Sequence, residues 1–350
     1  MIEDCSYIKK CEVLVQCMTY NHSKYITDAL NGFAMQKTNF PFVCLVMDDA
    51  STDGGQEVIK DFLNRECLMD KAEYYDHELA DIVIVGHKTN QNCTFAVYFL
   101  KVNLYNTNKK EPLINEWCSK SEYIALCEGD DYWIDPFKLQ KQVEYMDTHP
   151  ECSLCFTNGD CYKNGIFLRK VIPNCKENKP YYKPGDYDYS FEEMLGLDYV
   201  PTASLMFRAE TIKSIPALPP DYFSGDAYIR LYATSQGYSH NIDDVTCVYN
   251  LGVDSSSTTQ WIENADSYKR FNIAFVKMLK KLDELTAFKY HTCLDNAICE
   301  KSIRLFKNEN DWKGLYSPRI RRYMSKKPMP EKLRYYLFPF TKQVRLLFRL

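Results

Sequence analysis

The first 130 residues alternate short apolar runs with helical spacings, which limits the fold before any motif is read. "EVLVQCM" (12–18) is apolar and β-branched, as a buried strand requires. "SKYITDALNGFAMQ" (23–36) follows, with Tyr25, Ile26, Ala29, Leu30 and Phe33 at helical spacing and Ser23 placed to cap it. "PFVCLVMDD" (41–49) reads as a second strand and "GGQEVIKDFLNREC" (54–67) as a second helix. "ADIVIVG" (80–86) is a third strand and, after a mostly helical stretch, "SEYIALCEGDD" (121–131) a fourth. Repeated strand–helix units imply a mostly parallel sheet joined by right-handed crossovers.

Further along, Asp135 and Pro136 open a helix that puts Leu139, Val143 and Met146 on one face. Residues 152–158 read as a strand, and 160–170 as a hairpin turning at Asn164-Gly165. The stretch 171–198 lacks periodicity and predicts a long loop. "ASLMFR" (203–208) predicts a strand and "SGDAYIRLYATSQG" (224–237) a helix. "YSHNI" and "VTCVYNL" predict two short strands joined at Asp243-Asp244, and from about 258 the pattern is helical.

No run of ~18 apolar residues occurs, and the start lacks a basic segment followed by an apolar one. Both features predict a cytoplasmic chain. The fifteen cysteines are odd in number and sit mostly inside apolar runs, without paired metal-type spacing. They read as small buried hydrophobes in a reducing compartment. Charge is unevenly spread: residues 259–350 carry 20 Lys+Arg against 9 Asp+Glu, and residues 1–258 carry 23 against 38. A basic tail on an acidic body predicts an anionic partner for the tail, such as a membrane surface.

The second strand ends in Asp48 and Asp49, the fourth in Glu128, Asp130 and Asp131. Carboxyl ends of strands in an open parallel sheet form one edge, where ligands bind. The acids should therefore share a crevice with "MTYNH" from the first strand. Hard oxygen ligands suit Mg²⁺ or Mn²⁺, shared between carboxylates and substrate phosphates. No glycine-rich phosphate loop is present, so a cation bridging acids to a diphosphate is the expected alternative.

The set "TYNHSKYITDAL", "VMDDASTDGG" and "YIALCEGDDYWIDPFKLQKQV" resembles the family 2 glycosyltransferases, densely over about 12–158 and again around 204–257. The resemblance implies a GT-A fold, an α/β Rossmann-like architecture of nucleotide-diphospho-sugar transferases. It places this domain over 1–257, with a nucleotide-sugar half over about 1–158 and an acceptor half over about 159–257. A helical, basic region follows over 258–350.

The resemblance also implies roles. Asp49 matches the acid at the uracil ring, and Tyr20 and Asn21 match residues lining the nucleotide pocket. Glu128 and Asp130 match nucleotide-contacting positions, while Asp130 and Asp131 match the metal-binding ones. Asp226 matches the catalytic base. Gly225 stands where many members have Glu, and Gly252 falls about where many carry a metal-site His. The activity implied is inverting transfer of a hexosyl or N-acetylhexosaminyl group from a UDP-sugar to a glycan or lipid-linked acceptor. Bacterial surface polysaccharide is the expected product, made at the inner face of the cell membrane. The alternatives are a nucleotide-sugar-binding protein without turnover and a nucleic-acid binder acting through the tail.

Overall fold

The computed structural model describes residues 8–105, 107, 109–171, 183, 185–197, 199–219, 221–222, 225–253 and 265–348. The chain divides into two compact units, Met1–Pro220 with Ser224–Asn264, and Asp221–Phe223 with Ala265–Leu350.

The first unit is built on one sheet. Its strands are β1 (Cys11–Thr19), β2 (Phe42–Asp48), β3 (Glu73–Asp76), β4 (Ala80–Gly86), β5 (Cys93–Leu100) and β6 (Ser121–Leu126). They continue with β7 (Tyr132–Trp133), β8 (Cys152–Lys163), β9 (Ile166–Lys170), β10 (Tyr187–Tyr189), β11 (Met206–Arg208) and β12 (Tyr238–Asn250). The order across the sheet is β10-β12-β8-β11-β6-β1-β2-β5-β4-β3, with β7 on β12 and β9 on β8. Along this path β12, β8, β6, β1, β2, β5 and β3 run one way, and β10, β11 and β4 the other. The centre, β6-β1-β2-β5, is parallel throughout.

Period-two alternation sends each central strand's side chains to opposite faces. On one face Val13, Val15 and Cys17 of β1 join Phe42, Cys44 and Val46 of β2 and Phe95 and Val97 of β5. Helix α1 (Ile26–Ala34) covers that face with Ile26, Leu30 and Phe33, and α2 (Gly55–Glu66) with Ile59, Phe62 and Leu63. On the other face Leu14, Leu45, Met47, Ala96 and Tyr98 meet Leu113 and Trp117 of α3 (Glu111–Cys118). Helix α4 (Lys138–Thr148) adds Leu139, Val143 and Met146 to the first face, the three residues that its spacing selects.

Six expectations change. Helix α1 begins at Ile26 with Tyr25, not Ser23, at its cap, and α4 begins at Lys138, just after Asp135-Pro136, where Asp135 accepts the Phe137 N–H in the preceding turn. The run over 93–100 is a strand, β5, inserted between β2 and β4. The third expected strand, β4, pairs antiparallel with β5 because a short connection returns the chain beside itself. Residues 238–250 form one strand that absorbs Asp243-Asp244 as an irregularity in its pairing with β8. The expected long loop contains β10 and α5 (Phe191–Gly196), the latter opened by a Ser190–Glu193 capping box; residues 172–182 lie outside the described residues. The hairpin turns at Asn164-Gly165, both at positive φ, as its sequence predicts.

Among the described residues the first unit also holds α6 (Ala209–Ser214) and α7 (Asp226–Gln236). The second unit is helical over Ala265–Leu285, His291–Glu309, Trp312–Leu315, Pro318–Ser325 and Met329–Phe348. Its core holds Cys299, Leu315, Ile320, Tyr323, Met324 and Tyr335. Among the described residues no helix is long and apolar enough to cross a membrane.

Candidate active site

Strand order sets the crevice. β1 lies between β2 and β6, and Thr19 stands in register with Asp48 while Gln16 stands in register with Leu126. The loops that leave all three strands therefore emerge at one edge, those of β2 and β6 about 10 Å apart.

The loop after β2 is held by Asp48. Fully buried, its carboxylate accepts from the Ser51 N–H (2.9 Å), the Ser51 hydroxyl (2.5 Å) and the Gln56 amide (2.8 Å). Asp53 accepts from the Ser23 N–H at 2.8 Å and the Gly55 N–H at 3.0 Å, fixing the start of α2 against the loop after β1. Asn21, at φ 56°, accepts the Thr52 N–H at 2.8 Å and donates its own N–H to the Ser51 hydroxyl at 2.9 Å. The two loops are thus stitched together, with Tyr20 left exposed beside them. Asp49 is buried; one carboxylate oxygen accepts from the Leu104 N–H and the other pairs with Lys110, both at 2.7 Å. A carboxylate has about four acceptor sites, so both oxygens retain capacity.

The acids after β6 are differently placed. Asp131 is 2% exposed, and one oxygen accepts the Asn250 N–H at 2.9 Å. Asn250 also donates its side-chain amide to the Asp130 carbonyl at 2.7 Å, so the end of β12 fixes the signature. Asp130 is 7% exposed, and its carboxylate lies 3.8 Å from the His22 ring. Burial lowers the His22 pKa, opposed by Asp130, and its Nδ1 has no hydrogen-bond partner. Glu128 is exposed at the crevice mouth. Desolvation by the surrounding protein, then the charges of Asp130 and Asp226, push its carboxyl up to about 8. Burial first, and Asp130 next, raise Asp131 as well. Among the described residues no Lys or Arg pairs with Glu128, Asp130 or Asp131.

Support comes from below. Trp133 donates its indole N–H to the Ala203 carbonyl at 2.7 Å, and the buried Lys138 ammonium sits 4.4 Å from its ring centroid. Lys138 donates to Gln142 (2.7 Å), whose amide donates to the carbonyls of Cys155 and Ser204. Thr202, in the same short segment as Ala203 and Ser204, gives Asp226 a side-chain hydrogen bond. Asp226 is the first residue of α7, half-buried, its pKa raised by desolvation against the lowering effect of Arg230. Its charge contributes to raising the Glu128 pKa, so the two carboxylates lie near one another. Tyr199, half-buried, feels Asp131, Asp226 and Glu128 together and so lines the same space.

Asn250, Thr202, Tyr199 and Lys110 were not selected from sequence. Each is reached only through the tertiary fold, and none carries a spacing signal of its own. The described residues include no three His, Cys, Asp or Glu side chains arranged to cage a metal ion. The acids do fit a hard divalent cation held by one or two carboxylates, whose other ligands come from substrate and water. The lack of a Lys or Arg partner for them among the described residues is the observation that favours it.

The sheet order, with acids at its carboxyl edge, gives the chain a GT-A-like α/β fold, which it shares with solved structures of low sequence identity. The chain is similar to Staphylococcus aureus TarS, with TM-score 0.54, 16% identity, and 93% of this chain and 52% of TarS covered. It is also similar to TarS 1–349 in complex with UDP-GlcNAc, with TM-score 0.53, 16% identity, and 93% and 78% covered. No family model matches the chain. It is 32% identical over 210 residues to the uncharacterized proteins Rv1520 of Mycobacterium tuberculosis and Mb1547 of Mycobacterium bovis, covering 59% of this chain. The match spans half the length of those relatives.

Proposed function

We propose that this chain is an inverting glycosyltransferase of family 2 type, moving a sugar from a UDP-sugar to a hydroxyl of a glycan or lipid-linked acceptor in surface-polysaccharide biosynthesis. The observation that supports the reading is the crevice: Glu128, Asp130 and Asp131 without a cationic side-chain partner among the described residues, and Asp226 near enough for its charge to act on Glu128. Tyr20, Asn21 and Asp49 are assigned to the nucleoside, Glu128 and Asp130 to the ribose and diphosphate side. Asp130 and Asp131 would hold Mg²⁺ or Mn²⁺. Residues 1–158 would bind the donor and 159–257 shape the acceptor site.

The chemistry follows from these placements. An acceptor hydroxyl attacks the anomeric carbon as the bond to the diphosphate oxygen breaks. Asp226 takes the hydroxyl proton, a role typically worth ~10²–10⁴-fold. Its raised pKa suits a base that must hold the proton through the transition state. Attack opposite the leaving group inverts the centre. A bound divalent cation supplies Lewis-acid stabilisation of charge on the leaving diphosphate.

Calorimetric titration with UDP and UDP-sugars, in Mn²⁺, Mg²⁺ and EDTA, tests the donor site. Metal-dependent binding that disappears in Asp131→Ala is expected. Asp226→Asn should keep donor binding and lose transfer by ~10²-fold or more. Absence of UDP binding in every condition would overturn the reading. Tight binding with neither hydrolysis nor transfer would instead mark a nucleotide-sugar-binding protein.

A further inference from the structure

Over residues 329–338 the last helix of the second unit, Met329–Phe348, is two-sided. Tyr335 points inward, 2% exposed, and donates its hydroxyl to the Leu315 carbonyl at 2.6 Å, with Phe338 packed beside it. Met329, Leu333, Tyr336 and Leu337 are exposed at 64, 51, 49 and 48%. Their spacing of i, i+4, i+7, i+8 places them on one face, turned away from Tyr335. Single exposed apolar residues need no explanation, but a continuous apolar stripe does.

The borders of the stripe are basic. At helical spacing Lys332 falls on one side of it and Arg334 on the other, and the preceding helix, Pro318–Ser325, adds exposed Arg321 and Arg322, with Lys326 next. Residues 317–350 hold 10 Lys+Arg and one acid, Glu331. Arg319 and Lys327 are paired with Asp295 and Glu300, whereas Arg322, Lys326 and Arg334 have no acidic partner among the described residues. An outward apolar face between basic flanks is the pattern of a helix lying in a membrane interface. Nucleic acid would use the same charge but stack bases on aromatic rings, and three of the four exposed stripe residues are Met or Leu.

We propose that the Met329–Phe348 helix docks on an anionic lipid surface, with Met329, Leu333, Tyr336 and Leu337 entering the acyl boundary and Arg322, Lys326, Lys332 and Arg334 meeting lipid headgroups. This surface is independent of the sugar-transfer reading, and its test does not use activity. The full chain is mixed with phosphatidylcholine vesicles with and without phosphatidylglycerol, and flotation is measured at low and high salt. Flotation with the anionic vesicles, weakened at high salt, is expected. Leu333→Asp with Leu337→Asp should cut partitioning at least tenfold while leaving the melting temperature unchanged, since both side chains are exposed. Arg322→Glu, Lys326→Glu and Arg334→Glu together should abolish the preference for anionic vesicles. No flotation, or flotation that neither variant alters, would overturn the proposal. So would light scattering that shows a dimer, without vesicle binding, dispersed by the Leu333 and Leu337 changes.

Discussion

An acid at a crevice mouth still loses part of its hydration to the surrounding protein, at a cost in free energy unless a partner supplies the missing charge, and around Glu128 no described Lys or Arg does so. The consequence is a pH dependence of the metal-free protein. The Glu128 carboxyl moves from about 4.5 to about 8 on folding. Between those values the folded state holds a proton that the unfolded state has released. This contribution to stability is full below the lower value and is lost as pH rises through the upper one. Glu128→Gln removes the effect. In EDTA at pH 8 the variant should be more stable than the parent by ~1 kcal/mol, a modest figure because Glu128 is exposed to screening solvent. The two denaturation curves should converge near pH 4. A variant that is equally or less stable at pH 8 would show that the acids are compensated.

The elements bring these acids together through a close approach that sequence does not announce. A Cβ on Gly32 of α1 would lie 2.9 Å from both the backbone nitrogen and the carbonyl oxygen of Trp133 in β7. Helix propensity favours Gly32→Ala by about 1 kcal/mol. The overlap is with backbone that cannot rotate away, costing about 1–3 kcal/mol. Net destabilisation is therefore expected in a chemical denaturation, together with weaker UDP binding because β7 follows Asp131 directly. A variant as stable as the parent would mean that α1 and β7 slide freely.

The same elements show what sequence carries. β1, β2, α1, α2 and α4 are legible because their apolar residues repeat at the period of the element and end at cap or turn residues. β5 is not, because "CTFAVYFL" is apolar at every position but Thr94 and its period is hidden. Nor does Asp243-Asp244 announce that β12 continues, since acids ordinarily mark turns and only pairing with β8 holds them extended. The acids of the crevice are legible as residues at strand ends. Asn250 and Thr202 are not, because what brings them to Asp131 and Asp226 is the return of β12 and the segment beside β11.

At the scale of the molecule, the cysteines report on how the first unit is filled. Thirteen of the fifteen are described, all are free thiols, and twelve of these are buried. They lie on both faces of the sheet, Cys17, Cys44 and Cys127 on one and Cys11 and Cys118 on the other. Burial pushes Cys11, Cys67 and Cys247 up to about 12 and Cys118 up to about 11. A thiol reacts as its thiolate, so both access and ionisation suppress these groups while the fold is intact. With an aromatic disulfide reagent at pH 8, the twelve buried thiols should react slowly, whereas concentrated guanidinium should release all fifteen in one fast phase. Because the eleven buried thiols of the first unit react only after opening, their native rate measures the stability of the sheet itself, with Cys299 reporting on the second unit. UDP with Mn²⁺ should slow that rate if the crevice closes on a ligand, since a ligand bound only to the folded state stabilises it. Fast native reaction of most thiols would contradict the packing of both faces, and a rate indifferent to UDP with Mn²⁺ would count against the donor site.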